Sequence, residues 1–125
     1  MQLTGDGRRC KVLVIDDDAA VVRMLRLTLR DGGYDVDTAA NGQEALQNLD
    51  ESEADAIVLD LQMPVMDGRR FYGELRAMGN DTPVLILSAD GARRAQVELG
   101  AQSYLDKPFH PQDLLDAVGS LCNAV

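Results

Sequence analysis

Two kinds of apolar pattern alternate along this chain of 125 residues, and the alternation limits its fold more than any other feature. Apolar runs bounded by polar residues occur at 12–15, 56–61 and 84–87, and two weaker, half-exposed runs at 34–39 ("YDVDTA") and 103–106 ("SYLD"). Between them apolar residues recur at helical spacing: Val22, Leu25 and Leu29; Phe71, Leu75 and Met78; Leu114, Val118 and Leu121. Shorter helices are predicted over 42–49, through Ala45, Leu46 and Leu49, and over 92–99. Gly32-Gly33 closes the first helix, Pro83 opens a strand, and Pro111 opens the last helix.

Five strands alternating with five helices predict an α/β domain with a parallel sheet covered on both faces. The three strong runs suit central strands and the two weak ones edges. This matches the flavodoxin-like doubly wound order 2-1-3-4-5. In such sheets ligands bind beyond the carboxyl ends of the strands, near the switch point between strands one and three. The length allows one domain, predicted over 11–122, with residues 1–10 as a tail.

A hydrophobic content of 46% with 26% charged residues is a globular composition. The net charge of −9 argues against direct binding to nucleic acid or anionic membranes, and part of that acidity can be balanced by a bound cation. Cys10 and Cys122 stand near opposite ends of the chain without metal-ligand spacing. His110 is the only histidine. The two cysteines therefore read as small apolar residues of a reducing cytosol. No apolar stretch suits a signal peptide or a membrane span, and the expected location is cytoplasmic.

The stretch KVLVIDDDAA (11–20) runs from a buried strand straight into three adjacent carboxylates. Desolvating such a group is costly without a partner. On the expected topology Asp16 and Asp17 end strand one, and Asp60, in IVLDLQMP, ends the neighbouring strand three. Hard oxygen ligands around one small crevice suit Mg2+. Ser88 ends strand four and Lys107 ends strand five, so a hydroxyl and an ammonium face the carboxylates. Together they make a seat for a doubly charged tetrahedral oxyanion. A carboxylate placed there can attack a phosphoryl group and become an aspartyl phosphate, which points to Asp60 as acceptor.

The blocks VLVIDDD, IVLDLQMPVMDG, VLILSA and SYLDKPF resemble, in order and spacing, those of the receiver domains of two-component response regulators. The resemblance spans about residues 11–121. It implies that Asp60 is the phosphoacceptor, that Asp17 binds Mg2+ directly, and that Asp16 holds it mainly through water. It further implies that the backbone carbonyl of Gln62 completes the metal ligands, with Mn2+ able to substitute. Lys107 would pair with the phosphoryl group, Ser88 would be the switch hydroxyl, and Tyr104 the aromatic ring that turns inward on activation. The Lys107–Pro108 bond would be cis. The implied partners are a histidine kinase or histidine phosphotransfer protein, and a downstream protein target or attached output. The state implied is a monomer or a weak, activation-dependent dimer.

Other readings fit less well. A lone strand-end Asp is usually a helix cap, and for Asp18, before Ala19-Ala20-Val21, that is the preferred role. Met63, Met66 and Met78 read as packing or loop residues, Asp67-Gly68 as the turn opening helix three, and His110 as a surface residue. GDGRRC (5–10) precedes a strand instead of following one, so it fails as a dinucleotide fingerprint. An aspartyl-nucleophile phosphatase needs a second acid two residues after the nucleophile, where this chain has Gln62; turnover of external substrates is not expected. A flavin carrier needs a phosphate-cradling loop where DDDAA stands. A receiver-like module that is never phosphorylated would not need all five site residues. Only eleven residues separate Ser88 from Gly100, so helix four or its leading loop is expected to be short, which affects the family's usual helix four–strand five–helix five output face.

Overall fold

The computed structural model describes residues 7–63 and 65–122; positions 1–6 of the expected tail, and Pro64 of the LQMPVMDG block, lie outside the described residues. Strands and helices alternate throughout: β1 (Lys11–Ile15), α1 (Ala19–Asp31), β2 (Asp35–Ala39), α2 (Gly42–Ser52), β3 (Ala56–Asp60), α3 (Gly68–Ala77), β4 (Val84–Ser88), α4 (Ala92–Leu99), β5 (Ser103–Asp106) and α5 (Pro111–Cys122). The strands form one parallel sheet in the order β2-β1-β3-β4-β5. This is the doubly wound arrangement expected from the alternation.

Side chains of a strand point alternately to its two faces, so a strand covered on both sides must be apolar at every position. All five residues of β3 and of β4 are buried, and each strand is apolar up to its last residue, Asp60 and Ser88. In β1, Leu13 and Ile15 pack with α2, α3 and α4 around Leu49, Phe71 and Leu75. Val12 and Val14 pack on the opposite face with α1 and α5, around Leu25, Leu29, Leu114 and Val118. The edge strands β2 and β5 alternate or grade in burial, as their weaker apolar runs require.

Helix starts follow local chemistry. The Asp18 carboxylate accepts from the backbone N–H groups of Ala20 and Val21 at 2.9 and 3.3 Å and caps α1. Asn41 caps α2 through Glu44 N–H, and Asp67 caps α3 through Arg70 N–H, both at 2.8 Å. α1 ends at Gly32, and Gly33 follows at a φ of 95°, which glycine adopts without strain. The Lys107–Pro108 bond is cis. α4 has eight residues and is the shortest of the five helices.

Three expectations are corrected. Met78 does not join the apolar stripe of Phe71 and Leu75; it is the C-cap of α3, where the helical spacing ends, and it is 58% exposed. α2 continues past Leu49 to Ser52, and Glu53, in the left-handed region at φ 50°, ends it. Cys10 and Cys122 are not independent apolar residues but are joined in a disulfide, with their Cα atoms 6.1 Å apart. β1 starts and α5 finishes at the same edge of the sheet, so 112 residues of separation close to bonding distance.

Leu59 is fully buried at the centre of the sheet. Leu59→Ala is expected to cost roughly 2–5 kcal/mol and to lower the urea unfolding midpoint by about 1–2 M, measured by circular dichroism.

Candidate functional site

The register of the two central strands assembles the site. Ile15 of β1 lies opposite Leu59 of β3, so the next residues, Asp16 and Asp60, stand side by side at the carboxyl edge of the sheet. Both are almost fully buried, at 1% and 4% exposure, whereas Asp17 opens to solvent. Asp16, Asp17 and Asp60 each present a carboxylate oxygen within 4.8 Å of the others. Lys107, just past β5, brings its ammonium to 3.4 Å from both Asp16 Oδ2 and Asp60 Oδ1.

Backbone hydrogen bonds fix the acids. Asp16 Oδ1 accepts from the N–H of Asp18 at 3.0 Å, and Asp60 Oδ1 accepts from the N–H of Gln62 at 3.3 Å. Burial raises the Asp60 carboxyl above its ordinary value, and the negative charge of Asp16 pushes the same way; Lys107 and the Gln62 N–H oppose them only in part. Three carboxylates thus face one ammonium. Hard oxygen donors with surplus negative charge, two held rigidly and one at the solvent mouth, fit Mg2+ as Asp16, Asp17 and Asp60 stand.

The other expected site residues are distributed around this centre. Ser88 ends β4 and is 1% exposed, but its hydroxyl serves its own loop: it donates to the Asp90 carbonyl at 2.7 Å and accepts from the Asp90 N–H at 3.1 Å. Gln62 is exposed beside Leu61 at the end of β3. Tyr104 lies on β5, opposite Ile86 of β4, with 37% of its surface exposed.

Gly68 belongs to the site although its sequence context marked only a turn. A Cβ at this position would lie 2.6 Å from the Asp60 carbonyl oxygen and 2.7 Å from Leu61 Cα. Its N–H donates to the Leu61 carbonyl at 3.0 Å. The start of α3 therefore presses on the backbone that carries Asp60, and only glycine fits. Gly68→Ala is expected to displace Asp60, lowering both Mg2+ affinity in titration and the thermal midpoint by several degrees.

The raised carboxyl has a consequence with a definite sign. The folded chain holds the Asp60 proton more tightly than the unfolded chain, whose ordinary value is 3.8. The stability this group contributes is complete below that value and is lost as pH rises through the folded one. At neutral pH in a chelator, Asp60→Asn is expected to melt a few degrees above wild type, a gap that closes toward pH 3. Thermal scans of both proteins across that range check the sign.

The response regulator receiver domain family matches residues 12–119. The transcriptional regulatory protein PrrA of Mycobacterium leprae is 48% identical over 114 residues, 89% of this chain and 49% of that protein. The response regulator MprA of Mycolicibacterium vanbaalenii is 41% identical with the same coverage. The chain thus spans about half the length of these relatives. Among solved structures, chemotaxis protein CheY4 of Vibrio cholerae superposes with a TM-score of 0.82 at 36% identity, covering 90% of this chain and 98% of that one. A response regulator from Chloroflexus aurantiacus gives 0.85 at 38%, covering 92% and 98%.

Proposed function

This chain belongs to the response regulator receiver domain family, and on that premise we propose that Asp60 takes a phosphoryl group from the phosphohistidine of a kinase or phosphotransfer protein. The observation that carries this reading is the convergence of Asp16, Asp17 and Asp60 within 4.8 Å, beneath the ammonium of Lys107. One Asp60 oxygen attacks phosphorus, the bond to the donor's imidazole nitrogen breaks, and an acyl phosphate forms. Bound Mg2+, or Mn2+, supplies charge neutralisation for the phosphoryl oxygens. Asp17 would hold it directly, Asp16 mainly through water, with Asp60 and the Gln62 carbonyl completing the set. Lys107 would leave its shared position between the two inner acids and pair with a phosphoryl oxygen.

The switch then follows from hydrogen bonding. The Ser88 hydroxyl would exchange the Asp90 carbonyl for a phosphoryl oxygen, which is the stronger acceptor. Tyr104 would turn into the space vacated. The change would be expressed on α4, β5 and α5, where Val97 and Tyr104 are exposed. A switch moves an equilibrium only through contacts that differ between its two states. Those contacts are proposed to be with a separate protein or an attached output, with self-association secondary because α4 is short. Dependence on a kinase that consumes ATP places this work in the cytoplasm. Gln62, standing where an aspartyl phosphatase keeps its second acid, supports a protein that is phosphorylated over one that turns over external substrates.

Acetyl phosphate is expected to label the protein with an alkali-labile phosphate only when Mg2+ or Mn2+ is present, and Asp60→Asn to abolish the label. Asp17→Asn is expected to weaken Mg2+ binding roughly tenfold or more, with a parallel loss of labelling. Asp18→Asn, which alters only a helix cap, is expected to preserve both. Full labelling of Asp60→Asn would refute the acceptor assignment, and equal losses at Asp17 and Asp18 would refute the metal assignment.

A further inference from the structure

We propose that Cys10 and Cys122 form a thiol oxidation site whose redox state sets how firmly the last turn of α5 is held to the sheet. Cys10 immediately precedes β1, and its carbonyl accepts from the Asp35 N–H at 3.1 Å, so one end of the bridge is fixed to the sheet. Cys122 is the last residue of α5. Both are buried, at 0% and 1% exposure, and their Cα separation of 6.1 Å lies within the range a disulfide can span. The bond closes a ring around nearly the whole domain.

Little else holds this helix end covalently or ionically. Among the described residues, no ion pair ties α5 to the rest of the domain, and its last turn carries no basic side chain. Among the described residues, Val118 and Leu121 hold it by packing, and the sulfur bridge adds a covalent tie. The bridge sits at the amino edge of the sheet and the acids at the carboxyl edge, with the five residues of β1 between them, about 17 Å of strand. Oxidation therefore acts on α5 and leaves the geometry around Asp60 unchanged.

The proposal rests on the phosphoacceptor reading for one point, the compartment. A chain that meets an ATP-dependent kinase works in a reducing cytoplasm, where disulfides are mostly transient and redox-sensing. Closure is a two-electron exchange with a low-molecular-weight disulfide. One cysteine displaces a thiol from the reagent to give a mixed disulfide, and the other cysteine displaces the second thiol. The cysteines' two protons end on the two released thiols, the pair is oxidised, and the reagent is reduced. A dithiol reverses the reaction. Because both sulfurs are buried, either direction needs the last turn of α5 to fray open.

The test compares the full chain after oxidised glutathione with the same chain after dithiothreitol. Alkylation in denaturant, read by intact mass, is expected to add no groups to the first and two to the second. The oxidised form is expected to melt about 10–20 °C above the reduced form, because a ring of this size restricts the unfolded chain strongly. Amide exchange at 118–122 is expected to be slower when oxidised. Cys122→Ser and Cys10→Ser are each expected to match reduced wild type under both treatments. Two free thiols after oxidised glutathione, equal midpoints, or a midpoint difference that survives in Cys122→Ser would each overturn the proposal. Labelling by acetyl phosphate, measured in both states, separates the two readings. Labelling without a midpoint difference overturns the thiol site alone. A midpoint difference without labelling in either state overturns the phosphoacceptor reading and removes the cytoplasmic argument, leaving the clamp established as a structural bond.

Discussion

Parallel pairing of β1 with β3 is the contact on which the rest of the molecule depends, because it sets Asp16, just past β1, beside Asp60, the last residue of β3. Alone, that arrangement is unfavourable. Asp60 is buried, it faces Asp16, and its carboxyl is raised as a result. The apolar sheet outweighs this cost. Val58, Leu59, Ile86, Leu87 and their neighbours in β3 and β4 are fully buried, each contributing roughly 1.5–3 kcal/mol. Two buried carboxylates with a lysine beside them do not outweigh such a core. Charge at the strand ends is thus tolerated by the fold.

Precision at the acids comes from the loops. Asp18 both caps α1 and donates its N–H to Asp16, so the start of the helix and the position of the buried acid are set by one residue. On the neighbouring strand, the Gln62 N–H steadies Asp60 while Gly68 lets α3 press against its backbone. Ser88 is different. Its hydroxyl is satisfied within its own loop, by the carbonyl and the N–H of Asp90.

Spacing and residue type made most of this legible. Continuous apolar runs marked the doubly covered strands, the weaker runs marked the edges, and the strand ends put the acids at one crevice. Asp18 was legible as a cap because three small or apolar residues follow it. Met78 was not legible: it keeps the apolar spacing of α3, but the helix stops there and the side chain turns to solvent. The extension of α2 to Ser52 was hidden because the residues beyond Leu49, Asp50, Glu51 and Ser52, are all polar. Gly68 looked like any turn glycine, since the atoms its missing Cβ would strike lie seven and eight residues back, at Leu61 and Asp60, outside the turn itself.

Strand, helix and cap chemistry are short-range, governed by alternation, periodicity and hydrogen bonds over a few residues. For that reason residue order was enough to specify the sheet, its strand order and the acids at its carboxyl edge. The Cys10–Cys122 bond and the position of Lys107 between two acids arise from contacts between segments distant in the chain. Such contacts depend on which elements pack together and at what separation. No local pattern records that, and it became fixed only when the helices closed over both faces of the sheet.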